Sequence, residues 1–161
     1  MFKKVLIANR GLVAANCVRA VRELGAKVAV TYELQDLNSV AVRTADEAWE
    51  IRTQQGASAY LDVDAVVDVA VRCGADAVHP GYGFLARSRE LADRLKEKGI
   101  VLIAQDLGVK PQIKEAARQA GLAVLPGTGV LHNWNDVDST ALSVGYPLVV
   151  KALDSYAGWG V

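Results

Sequence analysis

A chain of 161 residues that is 52% hydrophobic and 22% charged carries enough apolar surface to bury a core without disulfide staples, which excludes disorder as its organising principle. Its 18 basic and 18 acidic residues cancel, so no net field draws it to nucleic acid or to an anionic membrane, and small molecules or proteins are the expected partners. No apolar run is long enough to span a bilayer, and Met1 to Gly11 lacks the apolar stretch of a signal peptide, so a cytoplasmic location is expected.

Val5 to Ala8 is a short apolar run closed by Asn9-Arg10-Gly11. Beyond it, Val13, Ala14, Cys17, Val18, Val21 and Leu24 recur at helical spacing before Gly25, which predicts strand, glycine turn and helix. Lys27 to Tyr32 is a β-rich run of the kind a buried parallel strand shows, completing a βαβ unit. The pattern continues with a strand at Ala48 to Ile51, a helix at Val63 to Cys73 and a strand at Ala75 to Val78. A helix at Ser88 to Lys98 and a strand at Ile100 to Ile103 follow. Alternation of this kind predicts a Rossmann-like α/β fold, a parallel sheet covered on both faces. Cys17 and Cys73 fall within the helical apolar patterns and read as reduced core residues.

After Ala104 the rhythm changes to a helix at Pro111 to Ala120, a strand at Ala123 to Leu125 and the turn Pro126-Gly127-Thr128-Gly129. A polar helix near Asn135 to Ser143 and a strand at Pro147 to Ala152 complete this part. The expected organisation is a domain over residues 1–104 and the incomplete beginning of a second over residues 105–161, with the boundary near Gln105 to Lys110.

Three segments could carry chemistry. Asn9-Arg10-Gly11 stands at the carboxyl end of the first strand, where open α/β sheets place their ligand crevices; the alternative is a plain turn with Arg10 paired to a carboxylate. The segment lacks G-x-G-x-x-G spacing, which gives a dinucleotide little support. His79-Pro80-Gly81-Tyr82-Gly83-Phe84-Leu85 follows another strand, and its glycines let backbone approach a flat ligand beside the amphipathic ring of Tyr82, the alternative being a tight turn with a satisfied histidine. Lys151 closes an apolar run before a glycine-containing loop, where it either reaches nucleotide phosphates or is a solvated strand end.

Taken in order and spacing, Phe2 to Gly11, Thr44 to Ala48, Ser58 to Asp62, His79 to Leu85 and Gly145 to Ala152 resemble the start of the biotin carboxylase family, the component of acetyl-CoA, propionyl-CoA and pyruvate carboxylases that uses ATP, magnesium and bicarbonate to carboxylate biotin. The resemblance implies that residues 1–104 are the domain preceding ATP-grasp and that residues 105–161 begin the ATP-grasp domain. Lys110 and Lys151 would match the lysines that neutralise ATP phosphates, and His79, Gly81, Tyr82 and Gly83 would face the biotin pocket. Arg19 and Glu23 would stand at a homodimer contact, with an intrahelical pair at i and i+4 as the alternative. The biotin carboxyl carrier and carboxyltransferase components would be partners.

The sequence departs from the family pattern at Leu12, where an acidic residue is usual, and at Ala86-Arg87-Ser88, which replaces Ser-Glu-Asn. The stretch from Ile103 to Lys110 is short, and Leu153 to Gly160 has side chains where the family has a glycine run. The family's metal-binding carboxylates, bicarbonate-binding arginine and acid-base residues lie past Val161. No catalytic residue or metal ligand is therefore assigned here, no tight cofactor binding is expected, and the chain alone is expected not to carboxylate biotin. Two other readings are a non-catalytic binding or dimerisation module and a fragment of another ATP-grasp ligase such as carbamoyl phosphate synthetase.

Overall fold

The computed structural model describes residues 1–53, 58–104 and 110–152. The chain divides into two compact units, Met1–Gln105 and Asp106–Val161.

The first unit is built on strands β1 (Lys4–Ile7), β2 (Lys27–Tyr32), β3 (Glu47–Glu50), β4 (Ala77–His79) and β5 (Val101–Leu102), all parallel, in the order β3-β2-β1-β4-β5. Leu6 of β1 stands opposite Ala29 of β2 and Val78 of β4. Because side chains alternate across a sheet, the β1 sequence Lys4-Val5-Leu6-Ile7 feeds both faces. Val5 and Ile7 join Val28, Val30 and Ala77 under helices α1 (Gly11–Glu23) and α2 (Val40–Thr44), while Leu6, Ala29 and Val78 meet the apolar stripes of α3 (Val63–Arg72) and α4 (Arg89–Glu97) on the other face. The expected α/β architecture with helices on both faces is therefore present. Cys73 is buried and Cys17 half-buried, and both are free thiols.

The local chemistry sets the helix starts. Asp62 accepts from the Ala65 N–H at 3.0 Å to open α3, and the Ser88 hydroxyl accepts from the Leu91 N–H at 3.1 Å to open α4. Strand β3 lies one residue earlier than the expected Ala48 to Ile51, β4 starts at Ala77 rather than Ala75, β5 is shorter than the expected Ile100 to Ile103, and two further differences have a clear local cause. Helix α2 was not expected, since five residues are too few to show a period; Ser39 caps it and Ala41 buries against the α1 side. Strand β4 runs through His79 rather than ending at Val78, because the Ala8 N–H donates to the His79 carbonyl at 3.0 Å and carries the ladder one residue further.

The second unit contains α5 (Lys110–Gln119) and α6 (Val137–Val144), the latter preceded by a 3-10 turn over Trp134–Asp136. The strands expected at Ala123 to Leu125 and Pro147 to Ala152 are not formed. A strand exists only through its ladder, and no ladder pairs either segment among the described residues; Leu125, Val149 and Val150 are exposed instead.

Candidate functional site

Strands β1 and β4 are neighbours at the centre of the sheet, and the chain leaves β1 into α1 on one face while β4 leads towards α4 on the other. This is the point where strand order reverses and where an open α/β sheet forms a crevice beyond its carboxyl ends. Both segments singled out in the sequence end here. The Asn9 Nδ2 donates to the Pro80 carbonyl at 2.7 Å, and its Oδ1 accepts from the Arg10 N–H at 2.8 Å. His79 Nδ1 accepts from the Gly81 N–H at 3.0 Å, with the Cys17 sulfur 3.8 Å away. An accepting Nδ1 places the proton of the neutral ring on Nε2. Burial pushes the His79 pKa below its ordinary value, favouring that neutral form.

Gly81 cannot be replaced without movement. Its φ is +66°, and a Cβ there would lie 2.6 Å from both Asn9 Nδ2 and Val13 Cγ1. A Cβ on Gly83 would stand 3.1 Å from the same Asn9 nitrogen. Between these two glycines, Tyr82 is held 74% exposed.

Arg10 meets a carboxylate, as the plainer of its two readings requires. It pairs with Asp36 at 2.8 Å and lies 5.8 Å above the Tyr60 ring. The Tyr60 hydroxyl donates to Asp36 at 3.0 Å and accepts from the Glu33 N–H at 3.1 Å, while the Glu33 carboxylate accepts from the Ser58 hydroxyl at 2.8 Å. The hydrogen bond to Asp36 raises the Arg10 pKa, and burial pushes the Tyr60 phenol up, so the guanidinium stays charged beside a neutral phenol. Asn9, Arg10, Tyr60, Pro80, Gly83 and Leu85 line a cavity of about 260 Å³. A groove of about 390 Å³ between Glu50, Arg52, Asp68 and Arg72 shares none of these residues, and its charges are paired within the chain, Arg52 with Glu50 at 2.8 Å and Arg72 with Asp68 at 2.9 Å. We place the candidate site at the smaller cavity because the glycine loop and the sheet switch point meet there. With Nδ1 engaged by the Gly81 N–H and the proton on Nε2, the neutral His79 ring has no lone pair left to act as a base.

The structure thus gathers His79, Gly81, Tyr82 and Gly83 around Asn9, a residue that the strand-end signal marked without revealing its partner. Lys151 is exposed in the second unit and follows no strand. Lys110 opens α5, its side chain lying outside what is described, as do all of Leu153 to Gly160. Arg19 and Glu23 pair along α1 at 3.8 Å, both more than two-thirds exposed. Leu12 is exposed, and Ser88 is the α4 cap. Among the described residues no group of three or more His, Cys, Asp or Glu side chains is placed to hold a metal ion. No helix among them is long and apolar enough to cross a membrane.

Residues 1–109 match the family model described as biotin carboxylase, N-terminal domain. The chain is 39% identical to a pyruvate carboxylase subunit of Methanothermobacter thermautotrophicus and 37% identical to biotin carboxylase 1 of Bacillus subtilis, each alignment covering 100% of this chain but only 34% and 37% of those proteins. Among solved structures it resembles the biotin carboxylase domain dimer of Hydrogenobacter thermophilus 2-oxoglutarate carboxylase, in complex with MgADP, ADP and bicarbonate. That match has a TM-score of 0.84 and 36% identity over 97% of this chain and 36% of that one. A biotin carboxylase from Campylobacter jejuni matches with a TM-score of 0.82 and 28% identity over 98% of this chain and 37% of that one. The chain therefore spans about a third of the length of each of these relatives, and the glycine loop, the switch point and the agreement along its whole length lead to one conclusion: it belongs to the biotin carboxylase family, as that family's N-terminal portion.

Proposed function

We propose that this chain supplies the N-terminal wall of a biotin carboxylase site, in an ATP-dependent ligase that carboxylates biotin with bicarbonate. The observation that carries the reading is the junction of Asn9, His79 and the Gly81-Tyr82-Gly83 backbone at the sheet switch point. A planar, neutral ring with polar edges suits a wall of bare backbone, one exposed phenol and few charges. Tyr82 packs against the biotin ring, the glycines let backbone approach it, and His79 fixes the turn by accepting the Gly81 N–H. Arg10, already neutralised by Asp36, shapes the wall and does not provide an anion site.

On this reading residues 105–161 begin the ATP-grasp domain, where Lys110 and Lys151 face ATP phosphates, and the magnesium ligands and catalytic groups belong to the rest of the enzyme. The protein is cytoplasmic and works with biotin carboxyl carrier and carboxyltransferase components. Arg19 and Glu23, exposed on α1, suit a self-complementary contact in a homodimer. The same exposed pair and the departures at Leu12 and Leu153 to Gly160 favour, as a second reading, an assembly module that has lost turnover.

Grafting residues 1–161 in place of the corresponding segment of the Bacillus subtilis biotin carboxylase 1 separates these readings, because the graft then carries the departures at both Leu12 and Leu153 to Gly160. The expected outcome is bicarbonate-dependent ATP hydrolysis stimulated by free biotin, with the 161-residue chain alone at background. A folded graft without biotin stimulation contradicts the enzymatic reading.

A further inference from the structure

We infer that Asn9 is the positioning residue of the Pro80 to Gly83 loop, a side-chain clasp that sets where Tyr82 stands. What the loop would face rests on the function proposed above; the clasp itself rests on geometry.

Asn9 follows Ala8, whose N–H extends the pairing to β4 one residue past β1, and bridges to Pro80 just beyond β4, a partner 71 positions away in sequence. Its amide has a determined orientation. The Arg10 N–H can only be met by Oδ1, so Nδ2 is the end that faces the Pro80 carbonyl. Both glycines leave room for that nitrogen, since a Cβ would come within 2.6 Å of it at Gly81 and 3.1 Å at Gly83. An asparagine serving only as a helix cap would accept from an N–H in the first turn of α1. Here Arg10 is the N-cap residue, it makes no side-chain capping bond, and the asparagine's donor is committed to the loop instead.

Among the described residues the loop is also tied by the Gly81 N–H to His79 Nδ1 and by the Ala86 N–H to the Gly83 carbonyl at 3.0 Å. Releasing Asn9 therefore frees the crevice side of the loop, Tyr82 included, and leaves the sheet paired. Aspartate at position 9 keeps the shape and the acceptor but loses the donor, setting a carboxylate oxygen against the Pro80 carbonyl.

The test is amide hydrogen exchange by NMR on the full chain, for the wild type, Asn9→Asp, Asn9→Ala, Gly83→Ala and the Asn9→Ala, Gly83→Ala double variant. In both Asn9 variants the Gly81 and Ala86 amides exchange at least about tenfold faster, while amides of β1 and β4 keep their protection, a factor of ten being the scale of one lost hydrogen bond. Gly83→Ala loosens the same amides by displacing Nδ2, and adds nothing once Asn9 is alanine. Asn9→Asp with wild-type protection at Gly81 and Ala86 overturns the proposal. So does a Gly83→Ala effect that persists undiminished without Asn9, or a loss of protection spread equally over the sheet, which would make Asn9 a general stability residue. A graft that folds without turnover would instead sink the enzymatic reading and leave this exchange result standing, so the two failures are distinguishable.

Discussion

At the scale of single residues, the fold concentrates its unusual chemistry at His79. Its ring is half-buried, with Nδ1 accepting a backbone N–H, and burial holds its pKa below the ordinary 6.5. The unfolded chain then binds the proton first, so stability is fully present above pH 6.5 and is lost as pH falls from there through the folded pKa. Replacing the ring with asparagine, whose Oδ1 can accept the Gly81 N–H, should flatten this part of the denaturation midpoint against pH profile. An unchanged slope would remove His79 from the account. Carboxylates act in a separate, more acidic window: the bond from Lys4 holds Glu47 below its ordinary 4.5, and the Ala65 N–H holds Asp62 below 3.8. The sequence showed His79, Tyr82 and the glycines as a loop after a strand. It did not show Asn9 as their anchor, because that bond closes over 71 residues and no local pattern encodes it.

At the scale of elements, periodicity was informative wherever the sheet gave it a surface to bury against. Strand β1 and helices α1, α3 and α4 lie close to where their apolar spacing put them, because each stripe has a partner in one of the two core clusters. The segments at Ala123 to Leu125 and Pro147 to Ala152 are also mostly apolar but have no paired ladder among the described residues, and composition alone cannot supply one. Helix α4 offers a direct test of the packing. Leu91 is fully buried on the core face, so Leu91→Ala should cost about 2–5 kcal/mol in urea denaturation through lost contacts and a residual cavity. Ser88→Ala removes the bond to the Leu91 N–H and should cost about 1 kcal/mol. A cap loss larger than the core loss would show that α4 is held mainly from its start.

At the scale of the whole molecule, every buried apolar residue among those described lies between Val5 and Ile100. Stability should therefore reside in the first unit. A protein of residues 1–104 should unfold cooperatively with a midpoint close to that of the full chain, as followed by far-ultraviolet circular dichroism. A featureless transition would mean that later residues complete the core. The family and the parallel α/β class were legible in the sequence because strand-end motifs and apolar alternation are local; the strand order β3-β2-β1-β4-β5, and with it the reversal that creates the crevice, required the structure. The proposed function makes the glycine loop at this reversal a biotin-facing wall. Tyr82→Ala in the grafted enzyme probes that wall, since an exposed ring can be removed without disturbing the core. The account predicts a KM for free biotin raised about tenfold, the scale of one lost aromatic contact and its apolar burial, with the KM for ATP unchanged. An unchanged KM for biotin would contradict it.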